Sequence, residues 1–520
     1  MRTRNKPRGL LQRNPPSPPL LKGGARSAGG FVAAAQVSEF CGVRRATVKK
    51  LYKLVLLFIL LGTLLPPDSL QAETIPRHVI LLSIDGLRPD YYLHPEQYHL
   101  NIPHLRSLLQ RGSYAQSMLG VYPTLTYPSH TTIVTGVRPA RHGVVSNFIF
   151  APSQGLLNWY LKSADIQTKT LWEAAKDKGL KTAIVTWPAS YGARVDYLIP
   201  ENLALTADIA DLIRQGSTEG LFEDLAKQFG PITLLPINDP AGCMSLDKMT
   251  TDFAAEIMRR YKPNLLFMHL LDVDHEQHIS GIDTPQVFAS FERIDTLIGS
   301  MIEATQQAGI LDQTTFIIVG DHGFLPVHAS LDFNALLVKN GLLSVDQAGK
   351  IVQWSVFVQG NGGSAAVYVK DRNDKALIAR VNETLRSEIA ARYAGIVHII
   401  EREHLDQLGA FPGALWALEA ADGYYFSSSS PKPQVLNPSD PFRGMHGYLP
   451  TNPQMATGFI ASGSGIRPGV VIPSLRMLDI APTIATLLDL ELPSAEGVPL
   501  VGILTPQQSR VQQSALSRQP

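Results

Sequence analysis

The stretch HVILLSID, His78 to Asp85, decides the fold. It is a run of Val, Ile and Leu with no alternating polar face, and it stops at a carboxylate. A strand buried on both faces of a parallel sheet reads this way, whereas a half-exposed strand alternates. Three further runs share the form: KTAIVTW (Lys181 to Trp187), NLLFMHLLDVD (Asn264 to Asp274) and TTFIIVGDHG (Thr314 to Gly323). Between them lie helix-patterned segments, TLWEAAKDKG closed by Gly179 and QVFASFERIDTLIGSMIEATQQAG closed by Gly309. Glycine suits the left-handed backbone that commonly ends a helix. The chain therefore reads as α/β, a mostly parallel sheet flanked by helices, with no internal repeat.

How the runs end carries the chemistry. Asp85, Asp274 and Asp321 close three of them, the last followed by His322. In open α/β sheets ligands bind outside the carboxyl ends of the strands. One Asp after a strand is an ordinary turn or cap residue. Three, with histidines nearby, describe a metal site on one rim. The segment DVDHEQHISG places Asp274 and His278 four apart, able to converge on one ion if the segment is helical or turned, with Asp272 and His275 as competing candidates. FRGMHGYLP adds His446 in a Gly-flanked loop. The only cysteines are Cys41 and Cys243, which excludes a Cys-based zinc site and a disulfide framework; Cys243 reads as a small buried apolar residue. Mixed His/Asp ligation points to zinc ahead of manganese or iron. Carboxylates crowded into one pocket repel each other unless cations compensate them.

VYPTLTYPSHTTIVTG, Val121 to Gly136, places Thr126 at the start of a short helix, with Pro128 in its first turn and Gly136 at its end. Taken alone, Thr126 reads as a cap. Beside two divalent ions it reads as a nucleophile, because a helix N-terminus favours an ionised alcohol or a phosphate.

The rest of the chain sets bounds. Its 520 residues, 45% hydrophobic and 18% charged, can bury a large core. A formal net charge of +1 and the lack of a basic patch argue against nucleic acid as a partner. Lys49, Lys50 and Lys53 precede LVLLFILLGTLL, Leu54 to Leu65, and Ala72 offers a small residue before a cut. Residues 48–72 thus read as a signal peptide, which implies a periplasmic or secreted protein, or a membrane-anchored one if uncleaved; the apolar run is short of the roughly 20 residues that span a bilayer. Residues 1–47, Pro/Gly-rich at RNPPSPPLLKGGARSAGG, sit oddly before an export signal and read as a non-native or disordered leader, with translation starting near Val48 or Leu51. The catalytic domain is expected over 73–504, with a small α+β subdomain inserted at 349–430 and a flexible tail at 505–520.

ILLSIDGLRPDY, YPTLTYPSHTTIVTGVRPARHGVVSN, TLWEAAKDKGLKTAIVTWP, DVDHEQH, GDHG and GMHGY occur in one order. In this the chain, from about Ile75 to about Leu504, resembles the nucleotide pyrophosphatase/phosphodiesterases of the alkaline phosphatase superfamily. The resemblance implies an alkaline-phosphatase-like core and two zinc ions. Asp85, Thr126, Asp321 and His322 would hold one, and Asp274, His278 and His446 the other. It implies that Thr126 displaces the leaving group to form a phosphothreonine ester that water then hydrolyses, and that Asn147 donates to a phosphoryl oxygen. It also implies that Tyr127 and His269 occupy the positions whose aromatic rings clamp a nucleotide base, although an imidazole stacks with less area than tyrosine.

The implied substrate is a small nucleotide or other phosphodiester. A rival reading takes phospholipid headgroups or glycerophosphodiesters, and another takes a non-catalytic phosphate- or metal-binding protein. A phosphomonoesterase is disfavoured because no Lys-x-Arg pair lies between Thr126 and Asp272. A sulfatase is disfavoured because the nucleophile position is Thr. Oligomeric state is not encoded in any recognisable feature. Mass spectrometry of the native precursor is expected to find a start near Val48 or Leu51; peptides from Pro15 to Gly30 would contradict the leader reading.

Overall fold

The computed structural model describes residues 78–506, apart from 153–157, 203–208, 238, 240, 428–430 and 439–440. The leader (1–47), the signal peptide (48–72) and nearly all of the tail (505–520) lie outside the described residues. Among the described residues no helix is long and apolar enough to cross a membrane.

The expected sheet is present with eight strands. In spatial order they are Val471–Ile472, Gly112–Ala115, Phe459–Gly463, Thr314–Val319, His78–Ile84, Leu265–Leu270, Thr182–Val185 and Tyr197–Ile199. All pairings are parallel except the two made by Phe459–Gly463. His78–Ile84 lies at the centre and is buried throughout. Its alternate residues serve opposite faces. Ile80, Leu82 and Ile84 pack with Phe253 and Ile257 of the Gly242–Tyr261 helix and with Phe291, Ile294 and Ile298 of the Pro285–Gln307 helix. Val79 and Leu81 join Ile133, Val134, Trp172, Ile480 and Ile484 on the other side.

Local chemistry fixes the helix ends. Thr170 and Glu173 form a reciprocal capping box that starts Leu171–Asp177. Thr284 caps Pro285–Gln307, with Pro285 in the first turn. Register then aligns the strand ends. Ser83 lies opposite His269 on one side and Val319 on the other, so the residues that follow these strands emerge on the same rim.

One expectation needs correction. The Asn264 to Asp274 run is not strand to its end: the strand stops at Leu270, and Asp272–Ser280 is a helix. The reason is Asp247, whose carboxylate accepts the Leu271 N–H at 2.8 Å and the Asp272 N–H at 3.0 Å. A side chain from a neighbouring helix thus satisfies the free donors that a helix start requires.

The smaller sheet orders Val356–Asn361, Ser364–Val369, Trp416–Ala420 and Val397–Glu401, all antiparallel. Its core also includes Leu325 and Leu331 before it and Met455 after it. This packing reaches beyond 349–430, because the strand Leu325–Leu331 pairs in parallel with Gly423–Phe426. Gly444–Met445 pairs with Leu325 and Pro326, which delivers His446 to the rim.

A buried acid ties the two loops that carry site residues. Glu419 accepts from Tyr122 Oη at 2.9 Å and from the Leu449 N–H at 2.6 Å. Burial pushes its carboxyl up to about 8. A folded-state value above the unfolded one means that the stabilisation is complete below about pH 4 and is lost as pH rises through about 8. Urea midpoints of wild type should therefore fall from pH 6 to pH 9 by more than those of Glu419→Gln; equal falls would assign the pH dependence elsewhere.

Candidate active site

Thr126 is the first residue of the helix Thr126–Thr135, which ends at Gly136 with φ +69°. The N-cap is Leu125, and no side chain caps this helix. The capping reading of Thr126 thus fails. Its hydroxyl instead lies 3.5 Å from His322 Nε2, at the positive end of the helix dipole. Asn147 Oδ1 accepts the Tyr127 N–H at 3.0 Å. This anchors the carboxamide beside Thr126 and keeps its NH2 as a donor.

Around that hydroxyl the expected ligands converge. Asp274, His278 and His446 form one group and Asp85, Asp274 and His322 another, the ligating atoms in each lying within 4.8 Å of one another. Asp274 is common to both. Asp321 joins through Oδ2, 3.2 Å from His322 Nε2, while its Oδ1 accepts the Gly86 N–H at 3.0 Å. The competing candidates fall away. Asp272 is engaged by Ser290 at 2.7 Å and Arg293 at 2.6 Å, and His275 belongs to neither group.

The donor chemistry fits divalent cations. His278 Nδ1–H donates to Gly444 O and His446 Nδ1–H to Thr124 O, both at 2.9 Å, which turns each Nε2 lone pair inward. Those nitrogens face Asp274 at 3.5 and 3.7 Å. Asp85 Oδ1, Asp274 Oδ1 and Asp321 Oδ2 are buried without a hydrogen-bond partner. Burial holds the Asp85 and Asp321 carboxyls well above the usual carboxylate range, helped by the charge of Asp274 at Asp85 and that of Asp85 at Asp321. Burial presses His322 well below its ordinary value and His446 down to about 4. Orphaned acid oxygens facing unprotonated nitrogens are what positive charge would reconcile.

The proposed base clamp is overturned. Tyr127 and His269 are both 0% exposed and offer no face to a base. They belong to a buried relay instead. Tyr127 Oη donates to Glu201 Oε1 at 2.6 Å, His269 Nδ1 meets Glu201 Oε2 at 3.0 Å, and His269 Nε2 meets Asp85 Oδ2 at 3.2 Å. Burial alone would depress the His269 imidazole, but the Glu201 carboxylate outweighs it and raises the pKa. Sequence reading missed Glu201, although it follows the strand Tyr197–Ile199 as Asp85 follows its own. It also missed His130, four residues after Thr126, whose Nδ1–H donates to the Thr126 carbonyl at 2.8 Å and lies 3.7 Å from Asp321.

A hydroxyl at a helix N-terminus, set among acid and imidazole groups on the carboxyl rim of a parallel sheet, has the constitution of a metal-assisted hydrolase site. Residues 79–449 match the family described as type I phosphodiesterase/nucleotide pyrophosphatase, and the chain belongs to this family of hydrolases. An uncharacterised pyrophosphatase/phosphodiesterase of Schizosaccharomyces pombe is 24% identical over 412 residues, covering 75% of this chain and 72% of the yeast protein. Human ectonucleotide pyrophosphatase/phosphodiesterase family member 1 is 24% identical over 259 residues, 48% of this chain but 24% of its own length. The chain thus matches only about a quarter of that longer relative. Among solved structures, human ectonucleotide pyrophosphatase/phosphodiesterase 5 superposes with a TM-score of 0.59 at 18% identity, over 82% of this chain and 100% of that one. An inactive murine form of the same protein, in complex with AMP, gives 0.58 at 18% identity with the same coverage. The α/β architecture is shared.

Because the Glu201 relay holds Asp85, Glu201→Gln should weaken divalent-cation binding by about 10–100-fold in chelator competition, the usual cost of losing a group that orients a ligand. Unchanged affinity would make the relay purely structural.

Proposed function

We propose that the protein is an exported two-zinc hydrolase that cleaves phosphodiester or pyrophosphate bonds of nucleotides through a phosphothreonine ester at Thr126. The observation that carries this reading is the Thr126 hydroxyl, uncommitted to capping and 3.5 Å from His322 Nε2. Export rests on the signal-like residues 48–72.

Asp85, Asp321, His322 and Thr126 would hold one ion and Asp274, His278 and His446 the other, with Asp274 close to both. When bound, such ions lower the pKa of an attacking alcohol and stabilise the departing oxygen. The chain's own residues do the rest. Thr126 Oγ1 attacks phosphorus in line as the bond to the leaving oxygen breaks, and water then hydrolyses the ester. The Asn147 NH2 donates to a non-bridging phosphoryl oxygen, whose charge grows in the transition state. Tyr127 N–H holds Asn147 in place by its carboxamide oxygen.

A second reading, hydrolysis of phospholipid headgroups or glycerophosphodiesters, draws on the burial of Tyr127 and His269, which removes the base clamp. A non-catalytic phosphate- or metal-binding role would leave the uncommitted hydroxyl without a purpose.

Purified protein with zinc should hydrolyse the thymidine 5′-nitrophenyl ester faster than p-nitrophenyl phosphate. Thr126→Ala should lose about a thousandfold or more in kcat while keeping its zinc, as expected for loss of a nucleophile. Preference for the monoester, or an active Thr126→Ala protein, would overturn the proposal.

A further inference from the structure

A cavity of about 520 Å³ opens beside the site, lined in part by the Asp272–Ser280 helix. That volume lies within the range of small-molecule pockets. Asp274 and His278 belong both to the candidate metal cluster and to the cavity wall. Ile237, Cys243, Leu271, Ile279 and Phe442 supply the apolar part of the remaining wall, and His275, Glu276, Ser280 and Gln286 its polar part. The Phe442 ring lies 5.2 Å from the His278 ring, so one wall is continuous with the site.

The floor is buried, with Cys243 and Leu271 nearly inaccessible, while Ile279 on the wall is 50% exposed. Two more exposed large apolar side chains lie nearby in the chain. Met244 follows Cys243, and the Leu235 N–H is tied to Ser245 Oγ at the start of the same helix.

Which arm of a diester would enter follows from in-line geometry. The nucleophile and the leaving oxygen lie on opposite sides of phosphorus. Thr126 stands beside His322, and the cavity is shared with Asp274 and His278 instead. With the nucleophile on the His322 side, the cavity side is the one left for the departing arm.

We propose that this cavity is a subsite for an apolar leaving group, so that diesters whose departing alcohol carries an alkyl chain are preferred. The inference rests on the phosphodiesterase reading above. In the step it serves, the Thr126 hydroxyl gives up its proton to water as the Oγ1–P bond forms, the P–O bond to the alkyl alcohol breaks, and the alkoxide takes a proton from water and departs as the free alcohol.

The test compares the methyl and octyl esters of thymidine 5′-monophosphate, hydrolysed by the zinc-loaded full chain. Both carry the same retained arm and differ in the leaving chain. The expected kcat/KM is at least tenfold higher for the octyl ester, since burying methylenes in an apolar pocket strengthens binding. Ile279→Asp, a surface-exposed change, should reduce the octyl-to-methyl ratio severalfold, and Phe442→Ala should do the same from the opposite wall. Equal rates on the two esters in wild type would overturn the subsite and leave the phosphodiesterase reading intact. Failure to hydrolyse either ester, or the nitrophenyl diester, would overturn both.

Discussion

Everything at the rim depends on one electrostatic constraint: Asp85, Asp274 and Asp321 are placed where their charges cannot spread into water. Asp85 and Asp321 are buried, and burial raises both carboxyls, with the charge of Asp274 adding to the rise at Asp85 and that of Asp85 adding to the rise at Asp321. Removing carboxylates from water costs several kcal/mol per charge unless a partner of opposite sign compensates. Among the described residues the ion-pair partners of these three carboxylates are histidines. The histidines bring lone pairs, because carbonyls fix their Nδ1 protons on the outer side. Parallel register that ends three strands together would be a costly way to build a core, but it is an economical way to build a cation site.

Holding that arrangement falls to groups that never touch the centre. Asp247 starts the helix that presents Asp274 and His278. Thr124 links the nucleophile loop to the His446 loop: its hydroxyl donates to Tyr448 O at 2.9 Å and accepts the Gly447 N–H at 3.1 Å, while its carbonyl takes the His446 proton. Glu419 repeats that link one layer further out. Glu201 and His269 do for Asp85 what the carbonyls do for the histidines. Each device converts a loop position into a fixed one, which a site needs when its geometry must be held within fractions of an ångström.

Much of this was legible in the chain because the signals were local. Unbroken apolar runs announced parallel strands, and glycines at 179 and 309 closed helices where expected. The candidate ligands could be named from strand ends, spacing and motif order, and the structure brings them together. What escaped was long-range. Nothing near Leu271 in sequence says that Asp247 will cap a helix there, so Asp274 was read as a strand terminus. His269 matched an aromatic position by counting, and counting is blind to the side chain across the fold; Glu201 claims the ring and buries it. The strands of the smaller sheet, Val356 to Ala420, lie inside the 349–430 segment, but its core also draws on Leu325 and Met455 from outside it, contacts that no local pattern announces.

The central claim is that this rim is a two-metal centre with Thr126 in its first ion's shell. Anomalous diffraction at the zinc edge from crystals of the purified protein tests it most directly. The account predicts two peaks, one among Asp85, Asp321, His322 and Thr126 and the other among Asp274, His278 and His446. A zinc-equilibrated crystal with no peak at the rim, or with one peak remote from Thr126, would contradict it.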